Sequence, residues 1–236
     1  MAGGIFLSLA LGYACVMGGR EFIAMARKKG INPSSRIVLG MIIAFFVVAA
    51  LPDIPQWMIG IKVPDSFSIQ HFPLLLTIGI YLSFFRLLFR NDNPPATIAD
   101  IASTILGFIY VGWLPCHLVL LRNLTPAGMP ITDNPLQQPG LAYVWATLFI
   151  IWGTDVFAYY VGKKIGKHLL YPQISPKKTL EGAIGGFCVA IIFSVSIALL
   201  ADNVLFACHP FKFNLWQAPL MGAVVSVAAQ LGDLCE

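Results

Sequence analysis

Charge is what this sequence has least of. Only 11% of its 236 residues are Asp, Glu, Lys or Arg, while 58% are apolar and the mean hydropathy is +0.79. So few polar side chains cannot coat a soluble globule of this length, which excludes that class at once. Paired cysteines are missing too. Cys15, Cys116, Cys188, Cys208 and Cys235 stand apart with no CxxC spacing, mostly inside apolar runs, so they read as small hydrophobes and not as a disulfide or zinc framework. No inverted internal repeat of the kind that marks many transporters is visible. No basic stretch precedes the first apolar run, as it would in a cleavable signal peptide.

What is present is a series of apolar segments near 3–19, 36–51, 73–90, 97–121, 141–162, 181–200 and 217–235. At about 1.5 Å per residue most are long enough to cross a hydrocarbon core of roughly 30 Å. The expected fold is therefore an all-α, polytopic membrane bundle of about seven transmembrane helices. Prolines at 52, 55 and 64, at 94 and 95, and at 126, 130, 135 and 139 punctuate the gaps, which are too short for a soluble domain. The stretch "GREFIAMARKKG" (18–29) reads as an amphipathic continuation of the first helix along a membrane surface.

Alternating the loops across the membrane places twelve basic residues on one side: Arg20, Arg27, Lys28, Lys29, Arg36, Arg86, Arg90, Lys163, Lys164, Lys167, Lys177 and Lys178. Only Lys62, Arg122 and Lys212 fall on the other. The positive-inside bias makes the first side cytoplasmic. The basic residues thus report orientation before any ligand, and no nucleic-acid partner is expected.

Four acids lie within or at the ends of the apolar segments: Asp100, Asp155, Asp233 and Glu236. Asp100 sits one turn into its helix, where a carboxylate complements the positive helix end, a structural role. Asp155 is seven residues before Gly162, roughly 10 Å from the cytoplasmic end of its helix. An ionised carboxylate at that depth needs a partner, a cation or water. Pairing with Tyr159 or a loop lysine is one solution, and a functional site is the other. Asp233 and Glu236 are three apart on one helical face, so both reach one divalent cation or form a solvated helix end.

Between the fifth and sixth segments runs "VGKKIGKHLLYPQISPKKTLEG" (161–182). Lys163, Lys164 and Lys167 read as membrane anchors. In "SPKKTLEG" (175–182), Pro176 holds Ser175 extended, Thr179 is a plausible N-cap and Glu181 falls in the first turn of the next helix. Hydroxyls, the Lys177 and Lys178 ammonium groups and free backbone N–H groups then meet at one helix start, a combination that suits phosphate. Gly182, Gly185 and Gly186 remove side chains from one region of that helix, leaving room for another helix or for a ligand.

"DVFAYYVGKKIGK" (155–167), "SPKKTLEG" (175–182) and "GDLCE" (232–236), in that order and each at a helix end, resemble the phosphatidate cytidylyltransferase (CDP-diacylglycerol synthase) family. The strong likeness covers about residues 140–236, and the earlier helices share only the hydrophobic layout. The resemblance implies an N-terminal helical region, 1–139, and a catalytic region, 140–236. It implies transfer of cytidylate from CTP to phosphatidic acid with release of pyrophosphate, at a Mg²⁺-dependent site facing the cytoplasm, in an integral membrane protein of the cell membrane that pairs as a homodimer.

On that picture Asp155, Lys178 and Asp233 are catalytic. Ser175, Lys177, Lys178, Thr179 and Glu181 bind substrate, and Asp155, Asp233 and Glu236 hold the metal. The family's pattern continues beyond "GDLxE" into further basic and acidic motifs, so the resemblance implies a longer protein, C-terminally incomplete here, with the 236-residue form inactive. An ion or solute transporter remains the alternative from another class, because a midspan acid also marks ion pathways. Another CTP-dependent membrane enzyme, such as a polyprenol kinase, would use similar phosphate-binding parts.

Overall fold

The computed structural model describes residues 2–54, 58, 60, 61, 63, 64, 66–89, 96–124, 139–173, 175–200 and 216–235. Their packing falls into two compact units, one within Met1–Leu124 and one within Gln137–Glu236. Large apolar side chains face outward along the helices, among them Phe6, Leu74, Trp152 and Ile192, each more than half exposed. Water would not tolerate that surface and lipid does. The protein is an integral membrane protein.

In the first unit α1 (Ala2–Lys28), α2 (Ser35–Ala50) and α3 (Phe67–Leu88) are followed by α4 (Ile98–Phe108) and α5 (Leu114–Arg122). The last two form one span, Ile98–Arg122, joined by a widened π-helical turn at Ile109–Trp113. The cause is Pro115. It has no N–H to give the carbonyl four residues back, and its ring crowds that carbonyl, so the ladder widens just before it. The widening coincides with close packing on α2, because a Cβ at Gly112 would meet Ile42 Cγ1 at 2.9 Å and Ile42 Cα at 3.1 Å.

The core of this unit is aromatic and aliphatic. Val38, Ile42, Phe45, Phe108 and Val119 are fully buried. Phe45 meets Phe72 edge-on at 5.7 Å and lies 6.4 Å from Phe108. Both ends of the unit are closed by polar locks. At one, the Arg122 guanidinium, 2% exposed, pairs with Asp53 at 3.0 Å, and Asn123 Nδ2 donates to the same carboxylate at 3.2 Å. At the other, Thr97 and Asp100 form a capping box at the start of α4, and the Asn32 N–H donates to Asp100 Oδ1 at 2.5 Å. Asp100 has the structural role expected of it.

The second unit holds α6 (Pro139–Ile165), α7 (Leu180–Leu200) and α8 (Gln217–Cys235). A small antiparallel hairpin, β1 (Leu169–Tyr171) and β2 (Ser175–Thr179), stands between α6 and α7. Gly182 and Gly186 bring α7 against α6 backbone to backbone: an added Cβ would lie 2.5 Å from the Ala158 carbonyl oxygen and 2.7 Å from that of Thr154. The glycine run therefore serves helix packing. Interhelical hydrogen bonds join α7 to α8: Ser194 Oγ donates to the Ala218 carbonyl at 2.6 Å, and Gln230 Nε2 donates to the Ala183 carbonyl at 3.2 Å, with a further bond to Ser226 Oγ of its own helix at 3.1 Å.

Seven helical segments, with α4 to α5 taken as one span, coincide with the seven apolar segments of the sequence. Six are long and apolar enough to cross a membrane. The seventh, α8, carries Gln217, Gln230 and Asp233 among its 19 residues. The helical continuation expected over 18–29 is present, α1 running unbroken through Lys28; the feature that differs is the linker after α6, which is a hairpin.

Candidate active site

α6 presents Asp155, Ala158, Tyr159 and Gly162 at spacings of three and four, which places them on one helical face. The helix ends at Ile165, and the chain turns into the hairpin. Leu169 pairs with Thr179 and Tyr171 with Ser175, so two steps on β1 face four on β2. The surplus falls on Pro176, Lys177 and Lys178. Proline cannot donate to the ladder, and the strand bulges there, as a strand with unmatched residues must.

The end of β2 runs directly into α7. Thr179 Oγ1 accepts from the Gly182 N–H at 3.2 Å, the N-cap bond its position predicts. Leu180 N–H donates to the His168 carbonyl at 2.8 Å, tying the hairpin base to the helix start. Glu181 completes the tie. Its carboxylate accepts from His168 Nδ1 at 2.6 Å and from the backbone N–H groups of Lys167 at 3.1 Å and His168 at 3.2 Å. Glu181, expected at the substrate site, has its oxygens engaged in this clamp, and it is not among the residues lining the cleft.

That cleft, about 590 Å³, lies between the α6 face, the hairpin bulge and the last turns of α8, and its walls include Asp155, Ser175, Lys177, Lys178, Thr179 and Asp233. Lys178 Nζ is 2.5 Å from Asp233 Oδ2. That contact pairs the ammonium with the Asp233 carboxylate, and since an ammonium carries three N–H groups, one such pair leaves it capacity for a ligand. Asp155 lies within electrostatic reach of both Asp233 and Lys178. It is exposed in the cleft and, among the described residues, is hydrogen-bonded to nothing, so pairing with Tyr159 does not explain it.

No group of three or more metal-binding side chains occurs among the described residues. Glu236 lies outside them. Two carboxylates, Asp155 and Asp233, still share one cleft, and hard oxygen donors in that number suit Mg²⁺, which characteristically takes one or two protein carboxylates and fills its remaining positions with water and phosphate oxygens.

Two residues of the site escaped the sequence reading. Lys163, read as an anchor, lines the cleft, its ammonium 5.8 Å from the centre of the Tyr159 ring. Its spacing of eight from Asp155 puts it on the same face and would have revealed it. Gln230 lines the cleft as well as bonding α7. A glutamine in an otherwise apolar helix, three before Asp233, was the available signal. Gln230, Leu170 and Ala183 also line a second, apolar groove of about 560 Å³, walled by Ile184, Phe187, Val227 and Leu231, so the polar cleft and the apolar groove adjoin.

Comparison with known proteins bears on all of the chain. A phosphatidate cytidylyltransferase of Synechocystis sp. is 32% identical over 250 residues, covering 99% of this chain and 75% of that protein. One of Bacillus subtilis is 31% identical over 184 residues, covering 76% of this chain and 60% of its own length. One of Staphylococcus haemolyticus is 38% identical over 100 residues, 42% of this chain and 35% of that protein. The cytidylyltransferase family matches residues 1–236. With a match from end to end, the chain belongs to the cytidylyltransferase family.

Proposed function

We propose that the protein is a phosphatidate cytidylyltransferase, a nucleotidyltransferase that converts CTP and phosphatidic acid to CDP-diacylglycerol and pyrophosphate. A phosphate oxygen of the lipid attacks the α-phosphorus of CTP; a new P–O bond forms as the α–β phosphoanhydride bond breaks, and pyrophosphate leaves. The observation that carries this reading is the cleft in which the Lys178 ammonium pairs with Asp233 and stands near Asp155. The adjoining apolar groove suits an acceptor with a phosphate head and an acyl chain.

In this reaction Lys178 and Lys177 hold phosphate oxygens and offset the charge that builds on the transferring group. Lys163 extends the same positive wall. Ser175 and Thr179 fix the shape of the bulge, and Glu181, through His168, holds the hairpin against α7. Asp155 and Asp233, with Glu236 beyond the described residues, are the residues that would hold Mg²⁺. When bound there, the cation would supply Lewis-acid polarisation of the triphosphate and charge neutralisation for pyrophosphate. The site faces the cytoplasm, a reading that rests on the twelve-to-three distribution of basic residues, and the membrane is the cell membrane, as the family resemblance implies. The region from 140 onward carries the catalysis, and two copies of the protein act as a homodimer.

The test is transfer of label. Membranes containing the full-length protein, given CTP labelled in its α-phosphate with Mg²⁺ and phosphatidic acid, should yield a labelled lipid, and Asp155→Ala or Asp233→Ala should abolish it. Label passing from the γ-phosphate of CTP to a polyprenol, with none passing from the α-phosphate to phosphatidic acid, or ion flux without labelled lipid, would overturn the reading.

A further inference from the structure

The first unit contains a polar pocket that the reaction above does not use. Its volume is about 330 Å³, at the lower end of the range for small-ligand pockets, and Arg27, Arg36 and Arg86 converge on it from three helices. Among the described residues, Asp100 is the only acid in its lining. That carboxylate is already engaged, accepting from the Asn32 N–H at 2.5 Å and the Thr97 N–H at 2.9 Å. Three guanidinium groups against one carboxylate leave the pocket with excess positive charge.

Its depth follows from the helices that form it. Four spans end there: Ile5–Lys28, Ser35–Asp53, Phe67–Arg86 and Ile98–Arg122 each place one terminus at this pocket. It therefore opens at the boundary between hydrocarbon and water, where lipid headgroups lie. The start of α2 turns its positive end toward the same space, since Ser34 and Ser35 line the pocket and Ser34 makes no side-chain cap bond. Arg27 donates to Ser35 Oγ at 2.7 Å, which fixes one guanidinium in place while leaving other N–H groups of its fork.

An exposed arginine at a span end needs only water. Three from separate helices, gathered around one concave polar space, match the bidentate, planar recognition of phosphate oxygens. We propose that this pocket is a second phosphate-binding site, separate from the cleft at Lys178, which holds a phosphate group at headgroup depth. Phosphate borne by a membrane lipid and free phosphate share this chemistry, and the experiment distinguishes them.

Thermal unfolding of the detergent-solubilised protein is followed with short-chain phosphatidic acid in mixed micelles and, separately, with inorganic phosphate. The background is Lys177→Ala/Lys178→Ala, which silences the cleft of the second unit, so failure of the functional reading leaves this result interpretable. Saturable stabilisation should persist in that background. Arg36→Gln/Arg86→Gln should weaken its apparent affinity about tenfold for each guanidinium removed, about 1.4 kcal/mol each. Arg36→Lys/Arg86→Lys, keeping charge without the fork, should give an intermediate loss with the unliganded unfolding temperature unchanged, which separates binding from folding. A response to phosphatidic acid alone assigns the site to lipid headgroups, and a response to both ligands assigns it to phosphate at large. Loss of the response in the lysine background, or equal affinity in the arginine variants and the parent, would overturn the proposal.

Discussion

Replacing Lys178 by methionine keeps the length of the side chain and removes its charge. In the free protein the change breaks the ion pair with Asp233: the Lys178 nitrogen is itself buried, while the Asp233 side chain left behind is 50% exposed. A carboxylate that open to water is readily solvated, so stability should move by about 1 kcal/mol at most. Catalysis should respond much more. A hydrogen bond from an ammonium to a phosphate oxygen is worth about 1.5–3 kcal/mol, and if it strengthens as charge builds in the transition state the loss in kcat/KM is roughly ten- to a hundredfold. Lys178→Arg, retaining charge with a different fork, should recover part of it.

The assay is initial-rate transfer of label from CTP to lipid, with thermal unfolding measured on the same preparations. Because Lys178 and Asp233 touch, their effects should not add: Lys178→Met/Asp233→Asn should lose less than the two single changes multiplied together. A Lys178→Met protein that unfolds normally and keeps kcat/KM within twofold of the parent would refute the reasoning, since the Lys178 ammonium would then have no part in binding phosphate.

Four other outcomes follow from the same structure. Gly186→Ala would drive a methyl into the Thr154 carbonyl, 2.7 Å away, where backbone cannot yield; α6 and α7 should separate slightly, at a cost of about 1–3 kcal/mol read by thermal unfolding. Arg122→Ala strands the nearly buried Asp53 carboxylate and should destabilise the first unit by about 3–5 kcal/mol, with Asp53→Asn in the same chain restoring part of the loss. Glu181→Gln weakens the clamp on His168, so protease should cut between Lys167 and Thr179 sooner while the helices stay intact by circular dichroism. Chelation of divalent cations should stop label transfer, and Mg²⁺ should restore it.

The helices were legible in the sequence because hydropathy acts over about twenty residues at a time and no tertiary partner is needed to read it. Thr179 as a cap and Ser175 as extended were legible for a similar reason: both follow from local chain geometry, and the Gly182–Thr179 bond and the β2 strand bear them out. What escaped was non-local. The Asp53–Arg122 pair joins residues 69 apart, and no pattern in the sequence announces it. Glu181 fits a helix start from its position alone, but its partner His168 is 13 residues upstream and is brought back only by the hairpin. That hairpin was read as loop because its strands are three and five residues long, one of them interrupted by Pro176. Gly182, Gly185 and Gly186 were ambiguous between a helix and a ligand until α6 proved to occupy the space.

The central claim is that Asp155 and Asp233 act on one cation beside the Lys178 ammonium. Mn²⁺ in place of Mg²⁺ makes that directly measurable by electron paramagnetic resonance. With CTP present, the purified protein should bind Mn²⁺, and Asp155→Asn and Asp233→Asn should each abolish the bound signal while leaving the unfolding temperature within a few degrees. Unchanged Mn²⁺ binding in both variants would contradict the account, because the two carboxylates would then share a cleft without sharing a metal.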